Sequence, residues 1–312
     1  MSKIIADIGG TNARFALVND NAVISDVEVL PCADYASPAD AAQAYLKRIG
    51  AKPEAGAFAV ATALDGSDKV SMTNHVWAFS INETCRNIGL KRLKVINDFA
   101  ALANAVPYLA GNDMYQLGGG EVRQGMPIAI IGPGTGLGVA GIVFSDGKPV
   151  VIPTEGGHVT MPSSTPREFA LFEWLRNSKY HHISAERVIS GKGLVNLYNA
   201  VCGVDGLSLP ERTPAEISKA GIDGSCKACA EVVDLFCHFL GVAAGNLALS
   251  MGAGGGLYIA GGIVPQLGDY FKTSRFRESY LSKGRFREYL ERIPTFVITH
   301  PYPGLEGLKN IA

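Results

Sequence analysis

The chain opens on three apolar runs broken by short polar or glycine turns, Lys3–Gly9, Ala13–Val18 and Ala22–Leu30, the pattern of an antiparallel meander. A change of period follows. Ser37-Pro38 with Asp40 in the first turn, a stripe of Ala42, Tyr45, Leu46 and Ile49, and Gly50 just beyond supply a helix start, a buried face and a stop. Gly56–Thr62 and Arg92–Asn97 read as buried strands, the second running directly into a helix over Phe99–Val106. Beyond Pro107 the order returns, with a strand at Pro127–Ile131, a glycine turn from Gly132 to Gly138, a returning strand at Val139–Phe144 and another at Pro149–Ile152. Strands alternating with helices predict an α/β fold, and the pattern puts a boundary between two halves near Pro107–Asp113.

The second half is richer in helix. Thr165-Pro166-Arg167-Glu168 and Thr213-Pro214-Ala215-Glu216 each combine a capping box with proline at the first helical position. Lys192–Val201, closed by Gly203, predicts another helix. Cys226, Cys229, Val233, Phe236, Leu240, Ala243 and Leu247 then keep a 3-4 spacing that marks one buried face of a long helix. That spacing also settles how Cys226-x-x-Cys229 is read, since on a helix Cys237 stands roughly 16 Å along the axis from Cys226, too far to share a metal ion. Core packing is the expectation. Between Phe271 and Arg292 the sequence RFRE occurs twice among Phe and Tyr at helical spacing, which predicts amphipathic surface helices and not a nucleic-acid surface.

Composition narrows the class. With 28 basic against 29 acidic residues, neither nucleic acid nor a membrane surface is called for, and six cysteines without a secretory hydrophobic segment predict reduced thiols in a cytoplasmic protein. The weakly charged stretch beginning at Gly241 carries eight glycines in 23 residues, unsuited to a membrane span. Glycine is the anomaly, at 37 residues of 312, about 12% where roughly 7% is ordinary.

Two glycine segments resemble each other, IIADIGGTNARFALV (Ile4–Val18) and AIIGPGTGLGVAGIV (Ala129–Val143), aligning Gly10-Thr11 with Gly134-Thr135. Each is a strand, a tight turn with threonine and a returning strand, so each offers backbone amides and a hydroxyl where no side chain blocks a phosphate. One hairpin per half could grip a polyphosphate from both sides of a cleft. Asp7, just before the first turn, supplies a carboxylate for a phosphate-bound Mg2+, directly or through water. There is no GxxxxGK[ST], and the GxGxxG at Gly136–Gly141 is followed by a strand where a dinucleotide fingerprint needs a helix. A third cluster, Gly252–Gly256, suggests a flat backbone bed for adenosine, centred on Gly254 and Gly255.

The polar candidates are Asn97-Asp98 at a strand end, Glu155 and His158 around a glycine pair, and Glu186. Either Asn97 or Asp98 could equally be a helix N-cap. If these groups converge, they suit a neutral ligand with many hydroxyls, a sugar, with one carboxylate taking the proton of an alcohol that attacks a γ-phosphoryl group.

At these residues the chain resembles bacterial glucokinases, the non-repressor group of ATP-dependent glucose kinases within the hexokinase, actin and sugar-kinase superfamily. The resemblance is carried by DIGGTNARFAL (Asp7–Leu17), TNHVW (Thr73–Trp77), NDFAALA (Asn97–Ala103), IGPGTGLGVAG (Ile131–Gly141), TEGGH (Thr154–His158), AERVISG (Ala185–Gly191) and GAGGGLYIAGGIVPQ (Gly252–Gln266). It implies an actin-like, ribonuclease H-like fold of two α/β domains around a cleft, with residues 1–108 and about 299–312 in the smaller domain and 109–298 in the larger. It implies Asp98 as general base for the glucose 6-hydroxyl, with Asn97, Glu155, His158 and Glu186 bonding the other hydroxyls. ATP would be held by Asp7, Gly9, Gly10, Thr11 and Asn12, by Gly134, Thr135 and Gly136, and by Gly254 and Gly255, with Mg2+ near Asp7. It also implies a homodimer. Glu306 departs from the family, which favours an aliphatic residue there. The rivals are a kinase for fructose, mannose or an N-acetyl sugar, and a non-catalytic sugar or nucleotide sensor.

Overall fold

The computed structural model describes residues 2–72 and 75–312. Thr73 and Asn74 of the TNHVW motif lie outside the described residues. The chain divides into two units, Met1–Leu109 with His300–Ala312, and Ala110–Thr299.

In the first unit the meander forms as the pattern predicts: β1 (Lys3–Ile8), β2 (Asn12–Val18) and β3 (Ile24–Pro31) pair antiparallel. After α1 (Pro38–Ile49) the chain adds β4 (Ala55–Val60) parallel to β1. A small hairpin of β5 (Lys69–Ser71) and β6 (Ala78–Ser80) and the helix α2 (Ile81–Ile88) follow. Then β7 (Arg92–Asn97) joins parallel to β4 and turns straight into α3 (Asp98–Ala105). The sheet order is β3-β2-β1-β4-β7. Helices cover both faces of its middle strands, which is why Ile4–Ala6 and Gly56–Val60 are apolar without alternation. Phe15, Phe58 and Tyr45 of α1 form the core on one face, and Ile5, Ala57, Ala59 and Ala101 of α3 pack on the other.

The second unit repeats this order and extends it. Its strands are β8 (Met114–Gly118), β9 (Ile128–Pro133), β10 (Leu137–Ser145), β11 (Lys148–Thr154), β12 (Gly256–Ile259) and β13 (Thr295–Ile298), arranged β11-β10-β9-β12-β13-β8. As in the first unit, an antiparallel trio is followed by two parallel additions. Its helices are α4 (Pro166–Ser178), α5 (Gly191–Val204), α6 (Pro214–Ile222), α7 (Lys227–Met251), α8 (Ile263–Leu267), α9 (Asp269–Thr273), α10 (Phe276–Leu281) and α11 (Arg287–Glu291).

Three expectations change here. The long helix α7 is buried well beyond one stripe, with Val232, Leu235, Cys237 and Phe239 inside as well as Cys229, Val233, Phe236 and Leu240, because α5, α6, α10 and β9 surround it. It is long and apolar enough to cross a membrane, yet 61% of its most apolar window is buried inside the fold. At α4, Thr165 accepts the Glu168 N–H as expected, but the Glu168 carboxylate bonds the Ser164 N–H at 2.6 Å and stands 3.3 Å from His238 Nε2 on α7, so the box is not closed. Thr213 and Glu216 do close theirs. In the basic segment, Phe276 and Tyr280 are fully buried, and Arg277 is drawn inward over the Tyr280 ring and onto Thr295 Oγ1.

The chain then returns to the first unit with α12 (Pro303–Leu308). Gly304, Leu305, Gly307 and Leu308 face inward, and Gly307 lies so close to the Ala101 carbonyl of α3 that a Cβ would overlap it. Glu306 stays out of this contact, paired with Lys309 and 4.0 Å from His300, so the departure from the family pattern leaves the packing intact. Lys3 Nζ donates to the Ala312 carbonyl at 2.6 Å.

Candidate active site

In the first unit the candidates gather at the carboxyl ends of parallel strands, where open α/β sheets place ligands. Ile8, Val60 and Asn97 lie abreast on β1, β4 and β7. Of the two possible caps, Asn97 is the one used: its side-chain oxygen accepts the Phe99 and Ala100 N–H groups at 2.9 and 3.0 Å, and its Nδ2 donates to the Thr62 carbonyl and to Asp98 Oδ1. This side chain is occupied by the protein itself. Asp98 Oδ1 accepts from Asn97 and from the Phe99 N–H, at 2.8 Å, and no protein donor meets Oδ2 among the described residues. Burial, and then the charge of Asp7, push the Asp98 carboxyl up to about 6, against the lowering effect of those hydrogen bonds. Asp7 is itself raised by burial, with Arg14 as its partial counter-charge at 3.6 Å.

The first glycine turn runs Gly9-Gly10-Thr11. Gly9 N–H closes it on the Asn12 carbonyl at 2.9 Å, and the Thr11 carbonyl accepts the Cys32 N–H. The Gly10 and Thr11 amides have no acceptor among the described residues. The second turn is shorter than the glycine run suggested, because Gly132 and Gly138 are paired strand residues and only Gly134, Thr135 and Gly136 make the turn. Gly134 N–H closes it on the Gly136 carbonyl at 2.8 Å, leaving the Thr135 and Gly136 amides without an acceptor among the described residues. Each unit thus presents a two-amide cradle of the kind that holds phosphate oxygens.

Around the second hairpin the unit assembles its other candidates. Glu155 precedes a 3-10 turn over Gly156–His158, whose Gly157 lies against the Leu137 carbonyl where no Cβ would fit. The Glu155 and His158 side chains are 64% and 60% exposed, with His158 Nε2 3.8 Å from Glu155 Oε2. The two are free to turn toward a ligand. A second 3-10 turn, Ala185–Arg187, carries Glu186, whose Oε2 accepts the Leu137 N–H at 3.0 Å. Backbone bonds from Ala185 N–H to the Val159 carbonyl and from Met161 N–H to the Ile183 carbonyl tie the two turns' flanks together.

Gly254 and Gly255 are not part of this assembly. They precede β12, with Gly255 N–H on the Pro127 carbonyl just before β9 begins, so they stand at the opposite end of the sheet from the hairpin. The Arg123 guanidinium covers Gly254. The glycines at the hairpin end are Gly261 and Gly262, which follow β12. Gly261 has φ +81 and presses on the Pro133 carbonyl, and the Ala260 N–H bonds the Ile131 carbonyl at 2.8 Å. The signal for them was strand direction: ligand loops follow parallel strands and do not precede them. The hairpin role of Leu137 had no signal, since its partner is 49 residues away.

The C-x-x-C cysteines serve packing, with Cys226 capping α7 and burial pushing the Cys229 thiol up to about 12. Among the described residues no group of three His, Cys, Asp or Glu side chains could hold a metal ion.

The glucokinase family model matches residues 4–312 of the chain. Over 311 residues the chain is 48% identical to a glucokinase from Paramagnetospirillum magneticum, covering 99% of this chain and 96% of that protein. It superposes on the crystal structure of a glucokinase from an Antarctic psychrotroph with a TM-score of 0.87 at 38% identity, covering 99% of both chains. A ROK family glucokinase from Streptomyces griseus, solved with glucose and AMPPNP, shares the fold at a TM-score of 0.69 and 19% identity, over 100% of this chain and 99% of that one.

Proposed function

Because the chain belongs to the glucokinase family, and so is an ATP-dependent hexose kinase of actin-like fold, we propose that it phosphorylates D-glucose at the 6-hydroxyl with Asp98 as general base. The observation that carries this is Asp98 itself: a carboxylate at a strand end, one oxygen held by two donors, the other open, and a proton affinity raised to about 6. A base poised near neutral pH accepts a hydroxyl proton without being permanently protonated. As the C6 oxygen attacks the γ-phosphorus, its proton passes to Asp98 Oδ2 and ADP leaves. Asn97 is then a positioning residue that fixes the Asp98 carboxylate, a narrower part than the direct sugar contact the family resemblance implies.

The four unpaired turn amides, at Gly10, Thr11, Thr135 and Gly136, suit the phosphate oxygens of ATP. For adenosine the topology favours Gly261 and Gly262 over Gly254 and Gly255. Asp7 fits a Mg2+ held through water, because its half-buried carboxylate stands beside the Gly10 turn with a 3.6 Å contact to Arg14 to offset it. Such an ion would neutralise phosphate charge that builds up during transfer. Glu155, His158 and Glu186 are the sugar contacts, and the Streptomyces griseus relative, solved with glucose and AMPPNP, supports both substrates. A cytoplasmic homodimer of two closing domains belongs to the same reading.

The test is glucose-dependent ADP release from MgATP by the purified protein. Asp98→Asn is expected to lower kcat by a factor of ~10² or more with glucose binding largely kept; near-normal kcat in that variant would refute the assignment of the base.

A further inference from the structure

Glu186 holds more than a place in the sugar pocket. Its Oε2 accepts the Leu137 N–H at 3.0 Å, and the carbonyl of the same peptide, that of Gly136, accepts the Gly134 N–H at 2.8 Å. The peptide that ends the phosphate turn is therefore held at both of its poles, one by the turn and one by a carboxylate from a different segment. That segment grips the hairpin a second time, through Gly191 N–H on the Gly134 carbonyl at 2.8 Å, while Ser190 Oγ donates to the Glu186 carbonyl. Glu186 Oε1 meets no donor among the described residues. Glycine at 136 leaves this contact undisturbed, since a Cβ there would lie 2.5 Å from Glu186 Oε2 and displace it.

We propose that Glu186 is the connector by which sugar occupancy orients the β9–β10 phosphate turn, so that glucose and the nucleotide bind cooperatively through one carboxylate. The proposal rests on Glu186 being a sugar contact. A hydroxyl donating to Oε1 fixes the carboxylate plane; the fixed plane holds the Gly136–Leu137 peptide, and with it the two open amides of Thr135 and Gly136. The nucleotide then meets a turn whose ordering the sugar has already brought about, and by linkage the nucleotide tightens the sugar by the same factor.

The experiment measures the Kd of MgAMPPNP by calorimetry without and with saturating glucose. The wild-type ratio is expected to lie at ~5–50, within the usual range of coupling between sites. In Gly136→Ala the added Cβ pushes Oε2 off the Leu137 amide while the carboxylate stays, and the ratio is expected to fall to within about twofold of one. The turn keeps a φ open to alanine, as the left-handed region is not used at this position. Glu186→Gln keeps an acceptor for Leu137, so the ratio is retained even as glucose affinity drops. Glu186→Asp, one methylene too short to reach Leu137, loses the ratio like Gly136→Ala and serves if that variant does not fold, with thermal melts verifying each protein. A merely structural role would weaken both Kd values and leave their ratio alone. A wild-type ratio of one, or a wild-type ratio in folded Gly136→Ala and Glu186→Asp, overturns the inference. Absence of glucose binding by the wild-type protein would instead refute the sugar-kinase reading beneath it.

Discussion

The proximity of two carboxylates, Asp7 and Asp98, gives a pH signature that can be worked out in advance. β1 and β7 are separated by β4, so their strand ends stand two inter-strand spacings apart, roughly 10 Å. Two unit charges about 10 Å apart at an effective dielectric constant of about 20 interact by about 1.7 kcal/mol, a little over one pH unit. The rise of Asp98 from 3.8 to about 6 has burial as its larger cause and Asp7 as the second, so loss of the Asp7 charge removes about one unit by the Coulomb estimate and leaves the burial share in place. A base acts when deprotonated, so kcat/KM for glucose falls tenfold per unit of pH below the Asp98 pKa and is full above it. Removing the negative neighbour makes ionisation easier, and Asp7→Asn therefore moves the acid limb from about 6 to between 5 and 6. The assay is kcat/KM for glucose at MgATP far below its KM from pH 5 to 8, conditions in which glucose does not titrate and the limb belongs to the enzyme without nucleotide or Mg2+ beside Asp7. Under the proposed Mg2+ role Asp7→Asn also loses amplitude, so the midpoint is the quantity to read. A limb that stays put or moves to higher pH would refute the coupling, and a wild-type limb near 4 would refute Asp98 as the titrating base.

Two further outcomes are expected. Folded Asp98 binds its proton more tightly than the unfolded chain does, so this group's contribution to stability falls as pH rises from 3.8 to about 6 and its full cost, up to about 3 kcal/mol, is present above that range. Asp98→Asn should thus be more stable than wild type by about 2–3 kcal/mol in urea denaturation at pH 7.5 and no more stable at pH 4; equal stability at both would contradict the raised pKa. Gly261→Ala, forced into a positive φ against the Pro133 carbonyl, should raise KM for ATP tenfold or more, whereas Gly254→Ala, at the other end of the sheet, should leave KM for ATP within about twofold; the reverse pattern would restore the adenosine bed to Gly254.

Much of the architecture was legible because it depends on local pattern. The two hairpins announce themselves by strand, glycine turn and strand, and Arg92–Asn97 is found as a strand with the predicted bounds, although as the edge strand of its sheet it is half-exposed and not buried as expected. Asn97 and Asp98 do stand at a strand end that opens a helix, as the sequence predicts, though residue type does not decide which caps it. What escaped depends on neighbours far along the chain. The 3-4 stripe of α7 could show one buried face but not how many elements would surround the others. Glu186 was chosen for its company and not for its bond to Leu137, which no local pattern encodes. Glycine density points to Gly252–Gly256, whereas strand direction points to Gly261-Gly262, because the first cluster precedes β12 and the second follows it.

The helix α12 has a consequence for how the protein is made. Ribosomal synthesis delivers residues 110–299 as one uninterrupted stretch, so the second unit can fold as soon as it emerges, while the first must wait for residues 300–312 to cover Ile5, Ala59 and Ala101. Until then the apolar face of the sheet that carries Asp7 and Asp98 is covered by α3 alone, and α3 itself lacks its packing partner α12. The half of the protein that is translated first is the half that finishes last, and a nascent chain stalled before residue 300 exposes that part of the face to chaperones with the Gly9–Thr11 turn already synthesised but the helix that begins at Asp98 not yet backed by α12.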